Sequence, residues 1–436
     1  MKMFKKITLL SALFSTGLIM PSLISVLPNV NLATAYADSE TKTKRVPALR
    51  EKVYSQLARA QKLADDGQVT EGLAALDSVK ERASSMNSYE VAMMHNFYGF
   101  IYYNENQLDK AIESFQAVIK QEAIPESLRL STTFSLAQLA MANNDFNLTL
   151  RFLDEWSAAT PQAPKSNFYI LKAQAQYQLK MYNDAIKNIN SAINIVESEG
   201  DLPKENWLVL QRAIYYSLGQ SKNVVKVLEK MVNLYDKPQY WIQLGGMYGE
   251  VGADKKQLAT FETAKQRGFI KSKSDYMQLA QVYLMNSLPY KAAEILDQGI
   301  KAKVVEDNAK NLTFIAEAFV QAREDKKSLP YFIAATEKVE HGNLDQRLAE
   351  IYLNLEKYEE AADYARTALN KGELNFESNA YVALGMAQFN LQNFDASILA
   401  FEQAEKHKKS ANLAKQWIKY VKKEKVNAET LKQALL

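Results

Sequence analysis

The residue types that could do chemistry are few and scattered along the chain. The three histidines, His95, His341 and His407, lie far apart, and none sits in an H-E-x-x-H motif or has a second histidine at helical spacing. The glycine run Gly245, Gly246, Gly249, Gly252 has the look of a phosphate loop, but it lacks a preceding strand and the Lys-Ser/Thr ending that phosphate binding needs. Carboxylate pairs such as Glu359 and Glu360 fall on helix faces turned to water, where no acid/base role calls for them. Cysteine is absent, which excludes thiol chemistry, disulfides and a lipid-modified N-terminus. Lys406, Lys408, Lys409, Lys415, Lys419, Lys422, Lys423 and Lys425 form a basic cluster that reads as a solvated cap helix before it reads as a patch for phosphate-rich partners. No catalytic residue, metal site or cofactor is expected, and the chain reads as a non-enzyme.

The elements that must position any binding residues are helices in pairs. Two antiparallel helices approach to about 8–10 Å only where a contact residue is small, so a Gly or Ala must recur at each crossing. Following that position gives Ala60, Gly99, Ala137, Ala173, Arg212, Gly245, Ala280, Ala316, Ala349 and Gly385, at steps of 33 to 39 residues. Arg212 is the one large exception. Within YWIQLGGMYGEVG, Trp241, Leu244, Gly245 and Tyr248 resemble the W-x2-L-G-x2-Y spacing of the tetratricopeptide repeat, and Ala111 and Phe115 after Gly99 supply its A-x3-F spacing. Ala292, Ala361 and Ala368 take small sites on second helices, and Phe261 and Ala264 follow in the order large then small. Gly99, Ala111, Phe115, Trp241, Gly245, Tyr248, Ala280, Ala292, Ala349 and Gly385 are therefore expected to hold the repeats together.

The expected fold is all-α, a tetratricopeptide-repeat helical solenoid of about ten helix pairs with a C-terminal capping helix. Residues 1–37 read as a signal peptide, 38–52 as a lead-in, 53–410 as the repeat array, and 411–436 as the cap helix and tail. The signal reading rests on the basic start MKMFKK, the apolar run from Ile7 to Leu27, and Ala35-Tyr36-Ala37 before Asp38. Cleavage after Ala37 gives a periplasmic protein, whereas an uncleaved segment would be an inner-membrane anchor. Removing Lys2, Lys5 and Lys6 from the 53 basic residues leaves 50 against 50 acidic ones, so the mature chain has no global attraction for nucleic acid.

What such an array can do is bind protein or peptide, with its first helices lining the concave side. Counting from the small residue places Asn96, Phe100, Tyr103, Phe134, Gln138, Gln174, Tyr177, Tyr216, Gly246, Gly249, Met277 and Gln281 in the groove. The set is aromatic, methionine and amide, without the basic residues that pair an acidic C-terminal peptide. Gly246 and Gly249 offer bare backbone, either because a partner chain approaches closely there or because a bulky neighbour fills the notch. No small-molecule substrate is evident.

The segments NSYEVAMMHNFYGFIYY, LPKENWLVLQRAIYY, YWIQLGGMYGE, KQLATFETA, LPYKAAEILDQGI, AKNLTFIAEAF and AKQWIKYVKKE resemble those of periplasmic tetratricopeptide proteins encoded with TonB/ExbB/ExbD energy-transduction systems. The resemblance runs over most of the mature chain. It implies an accessory to TonB-dependent transport across the outer membrane, with components of the TonB complex as partners, no cofactor and no catalytic residues. A scaffold for envelope assembly or for cell-wall or pilus machinery would use the same fold in the same compartment.

Overall fold

The computed structural model describes residues 47–434, and the signal and most of the lead-in expected from the sequence lie outside them. Among the described residues every regular element is a helix. In chain order the pairs are α1 (Glu51–Asp65) with α2 (Val69–Lys80), α3 (Ser88–Asn104) with α4 (Leu108–Ile119), and α5 (Glu126–Ala142) with α6 (Phe146–Ala159). Then come α7 (Ser166–Gln178) with α8 (Tyr182–Ser198), α9 (Glu205–Ser217) with α10 (Ser221–Tyr235), and α11 (Pro238–Glu250) with α12 (Asp254–Gln266). The last pairs are α13 (Lys273–Met285) with α14 (Pro289–Lys301), α15 (Ala309–Gln321) with α16 (Asp325–Thr336), α17 (Asn343–Asn354) with α18 (Tyr358–Lys371), and α19 (Glu377–Asn390) with α20 (Phe394–Glu405). A single long helix, α21 (Ala411–Ala434), follows. The chain divides into two compact units, one ending at Asp236 and one beginning at Lys237.

Each pair is locked at its crossing by residues 16 apart. A methyl group built on Gly99 would stand 2.7 Å from the ring of Phe115, one on Gly245 2.7 Å from Phe261, and one on Gly385 2.8 Å from Phe401. The same spacing leads from Ala60 to Leu76, Ala137 to Leu153, Ala173 to Ile189, Ala280 to Leu296, Ala316 to Phe332 and Ala349 to Ala365, all of them buried. Ala60 with Leu76, Ala137 with Leu153, and Ala280 with Leu296 each share one hydrophobic cluster. A vacant position on the first helix thus admits a phenyl ring, and a methyl group there is met mostly by a branched aliphatic chain. Arg212 keeps the register, because Leu228 sixteen residues later is also buried.

The turn inside each pair is set by the backbone. Seven residues after each small position the chain takes a positive φ, at Gly67, Asn106, Asn144, Lys180, Gly219, Gly252, Ser287, Arg323, Glu356 and Gln392. The next amide then donates five residues back, as from Gln107 to the Tyr102 carbonyl at 2.8 Å and from Leu288 to the Tyr283 carbonyl at 2.8 Å. This left-handed closure satisfies carbonyls that the ending helix would otherwise leave open.

Helix starts are set by side chains or proline. Asn87 and Glu90 cap α3 reciprocally, as do Ser272 and Asp275 for α13, while Pro238 and Pro289 open α11 and α14, where a missing N–H costs nothing. Pro330 is different, sitting inside α16 and removing one intrahelical hydrogen bond. Leading into α1, Arg50 grips buried Glu90, with Nε 2.6 Å from Oε1 and an Nη 2.7 Å from Oε2. These contacts hold the Glu90 carboxyl down at about 2, against the cost of its burial.

Some first helices of successive pairs approach one another, α1 with α3, α5 with α7 and α7 with α9 in the first unit and α17 with α19 in the second. Second helices do not come as close to one another. Where first helices approach in this way, the stack curves with them on its inner side.

Candidate functional site

The positions expected to line the inner face stand three residues before the small residue and one and four residues after it on each first helix. At these positions Asn96, Phe100, Tyr103, Phe134, Gln138, Gln174, Tyr177, Tyr216, Gly246, Gly249, Met277 and Gln281 are all half-buried, so each packs on its own repeat and keeps one side open. Phe100 meets Phe115 edge-on with ring centres 5.3 Å apart, Phe134 leans on Trp156 at 5.3 Å, and Tyr177 on Tyr182 at 5.7 Å. Second-helix aromatics thereby fix the orientation of the lining rings. Burial next to Tyr182 raises the Tyr177 hydroxyl above its ordinary range, so it stays a neutral donor and acceptor.

Charge is distributed unevenly. In the first unit the lining positions carry no Asp, Glu, Lys or Arg. In the second, Glu317 and Glu350 hold Arg347 between them, with Nε 3.0 Å from a Glu317 oxygen and Nη1 3.0 Å from a Glu350 oxygen. Burial works against the Arg347 charge, but the two carboxylates outweigh it and raise its pKa.

The two notch glycines separate. Nothing lies within 4 Å of a methyl group built on Gly246, whereas one on Gly249 would stand 2.9 Å from the amide carbon of Gln257. Gly249 is thus covered by its own repeat, and the filling neighbour is Gln257. The reason is an exchange of sizes across the pair. Where Gly72, Ala111 and Ala292 stand on other second helices, α12 carries buried Gln257, and the first helix gives way to make room.

The remaining candidates are apart. His95 is half-buried, with its pKa lowered by burial and by Lys80. His341 lies beside Asn343, and His407 stands 4.0 Å from Glu377. Among the described residues no three metal-ligating side chains converge, and no helix is long and apolar enough to cross a membrane. The lysine cluster is partly neutralised by Lys425 with Asp395 at 2.5 Å and Lys415 with Glu405 at 3.8 Å. Trp241, expected to pack its repeat, does so against the Phe261–Tyr283 cluster. Sequence reasoning missed an open cleft of about 1200 Å³ between the α19–α20 turn and the end of α21, lined by Phe389, Phe394, Asp395, Glu424, Lys425 and Leu431. The sequence carried no apolar signal for it, since Glu424 and Lys425 follow Val421 on that face of α21.

Among the solved structures similar to this chain, all at low identity, are the following three. YrrB, described as a TPR protein with an unusual peptide-binding site, is 18% identical over 44% of this chain and 93% of its own, with a TM-score of 0.34. A tetratricopeptide repeat protein from Parabacteroides merdae is 15% identical over 59% and 98%, with a TM-score of 0.32. The C-terminal part of a TPR repeat-containing protein from Cytophaga hutchinsonii is 14% identical over 65% and 99%, with a TM-score of 0.35. No curated protein matches the sequence. The model of the tetratricopeptide repeat matches residues 94–123, 346–370 and 378–406, which are α3 with α4, α17 with α18 and α19 with α20. The turn with a positive φ recurs in every other pair, and the fold is a tetratricopeptide-repeat helical solenoid.

Proposed function

We propose that this protein is a non-catalytic scaffold that holds a protein partner in the periplasm, as an accessory to TonB-dependent transport across the outer membrane. The observation that carries the binding role is the inner face, where successive first helices present half-buried aromatic and amide side chains already oriented by their own repeats. Export is supported by the basic start, the apolar run and the small residues before Asp38, and by the lack of cysteine. The TonB assignment is supported by the sequence strings shared with that group of periplasmic proteins.

Affinity capture of the tagged full-length protein from cross-linked envelopes, read by mass spectrometry, tests this. Enrichment of ExbB, ExbD, TonB or a TonB-dependent receptor is expected. Enrichment of cell-wall or pilus proteins in their place would overturn the transport assignment in favour of envelope assembly. The exported form is expected to begin at Asp38, and an intact Met1 recovered in membranes would refute cleavage.

A further inference from the structure

We propose that α21 is a peripheral membrane-docking helix whose outer side rests on an anionic phospholipid surface, with its lysines among the headgroups and its exposed apolar side chains in the boundary beneath them. This goes beyond the partner-holding role of the inner face and does not rest on it.

Positive charge is concentrated at this end of the chain. Residues 406–425 hold eight lysines and one glutamate, a balance of +7, while the rest of the chain has 45 lysines and arginines against 49 acidic residues, a balance of −4. Lys415, Lys419, Lys422 and Lys423 follow helical spacing along one side of α21 and are all exposed, as are Lys408 and Lys409 in the turn before it. Little within the molecule answers them. Lys425 reaches Asp395 and Lys415 stands 3.8 Å from Glu405, but Lys408, Lys419, Lys422 and Lys423 form no ion pair among the described residues. An anionic surface attracts this row and repels the remainder of the chain, so it is α21 that turns toward the surface.

A cap that only faced water would carry polar side chains on its outer side. Leu413, Tyr420, Val426 and Leu431 are instead between 46 and 67% exposed. Val426 falls in the lysine row, and Leu413, Tyr420 and Leu431 run along its edge at helical spacing. The opposite side of α21 is the buried one, where Ala414 and Val421 join the Phe401 cluster. No residue from Lys422 to Lys432 is buried, so the last turns of the helix add nothing to that core. Headgroups with hydrocarbon beneath them satisfy lysine and leucine together, whereas a nucleic acid backbone answers the lysines alone. The patch holds no arginine, the residue that pairs carboxylates in a fixed two-point geometry, so nothing in it selects a particular acidic protein. No described helix is apolar enough to cross a bilayer, and α21 suits the surface of one leaflet.

Sedimentation of the exported protein with lipid vesicles tests this. Vesicles of phosphatidylcholine with about one third phosphatidylglycerol are expected to bind it about tenfold or more tightly than phosphatidylcholine alone, with a loss of about tenfold between 50 and 300 mM salt. Lys419→Gln, Lys422→Gln and Lys423→Gln together are expected to weaken binding about tenfold or more, and Val426→Asn with Leu431→Asn about threefold, each with the thermal unfolding of the parent. Should the triple variant unfold, Lys408→Gln with Lys409→Gln, outside the helix, is expected to weaken binding about threefold. Equal binding to the two kinds of vesicle overturns the proposal, as does a folded lysine variant that binds like the parent. Unchanged binding of the asparagine variant overturns the insertion of the apolar side chains. Tighter binding of a DNA duplex or of polyglutamate, at matched charge, overturns the assignment to lipid.

Discussion

Adjacent glycines on α11 are expected to respond to the same substitution with opposite signs. At Gly245 an added methyl group would lie 2.7 Å from the Phe261 ring, well inside ordinary van der Waals contact, while at Gly246 it would meet nothing within 4 Å. Replacing a helical glycine by alanine gains about 0.5–1 kcal/mol from reduced chain freedom, and Gly246→Ala should realise this gain. Gly245→Ala gains the same amount but suffers overpacking of about 1–3 kcal/mol, for a net loss of up to about 2.5 kcal/mol. Ala316 shares a cluster with Phe332, so a methyl can be housed beside a ring when neighbours shift, which places the loss toward the lower end. Phe261→Leu alone leaves a void, whereas Gly245→Ala with Phe261→Leu recreates the Ala280–Leu296 pairing and should recover about 1 kcal/mol relative to the sum of the single changes. Stability in a repeat array is local, so the readout is amide hydrogen exchange of α11 and α12 alongside urea unfolding. Equal effects at Gly245 and Gly246, or strict additivity of the double variant, would refute the crossing lock.

Turns offer a second test, because Lys180, Arg323, Glu356 and Gln392 hold a left-handed backbone that costs a side chain about 1–2 kcal/mol. Glu356→Gly should stabilise its repeat by about 0.5–1 kcal/mol after the added freedom of the unfolded chain is counted, and a loss in thermal unfolding would contradict the turn. Acid should unfasten the start of the array: the Glu90 carboxyl sits at about 2 in the fold against an ordinary 4.5, so its contribution is complete above 4.5 and fades as pH falls toward 2. Arg50→Ala should destabilise the chain at pH 7, moderated by the exposure of Arg50, and the difference from the parent should shrink over that acid window; a difference constant with pH would exclude the ion pair as its source. Lys371→Met leaves Asp345, 2% exposed, without its 2.8 Å partner and should cost about 2–3 kcal/mol, measured by denaturant unfolding.

The period and the crossings were legible in sequence because a small residue is a requirement that few residue types meet, and the spacing from Gly99 to Phe115 states it directly. Even Arg212 was placed in register by its neighbours. The turns were not legible as a set, since what recurs there is a positive φ, supplied by residues as unlike as Gly67, Ser287 and Glu356. The role of Gly249 was hidden for a related reason: its cause, Gln257, is on the other helix and inverts the usual order of large and small. The lack of charged residues at the first unit's lining positions could be counted from the sequence. The bracing of Phe134 by Trp156 needed coordinates, because no fixed spacing joins them.

The locks that span 16 residues have a further consequence. Both members of every lock belong to one helical hairpin, so a stretch of gene encoding one repeat carries the whole fastening with it. Duplication or loss of such a stretch changes the length of the array without separating any residue from the one it was fitted to. Reach, meaning how long a partner the inner face can follow, is therefore open to change by recombination in steps of one hairpin, while point mutation adjusts what each step recognises.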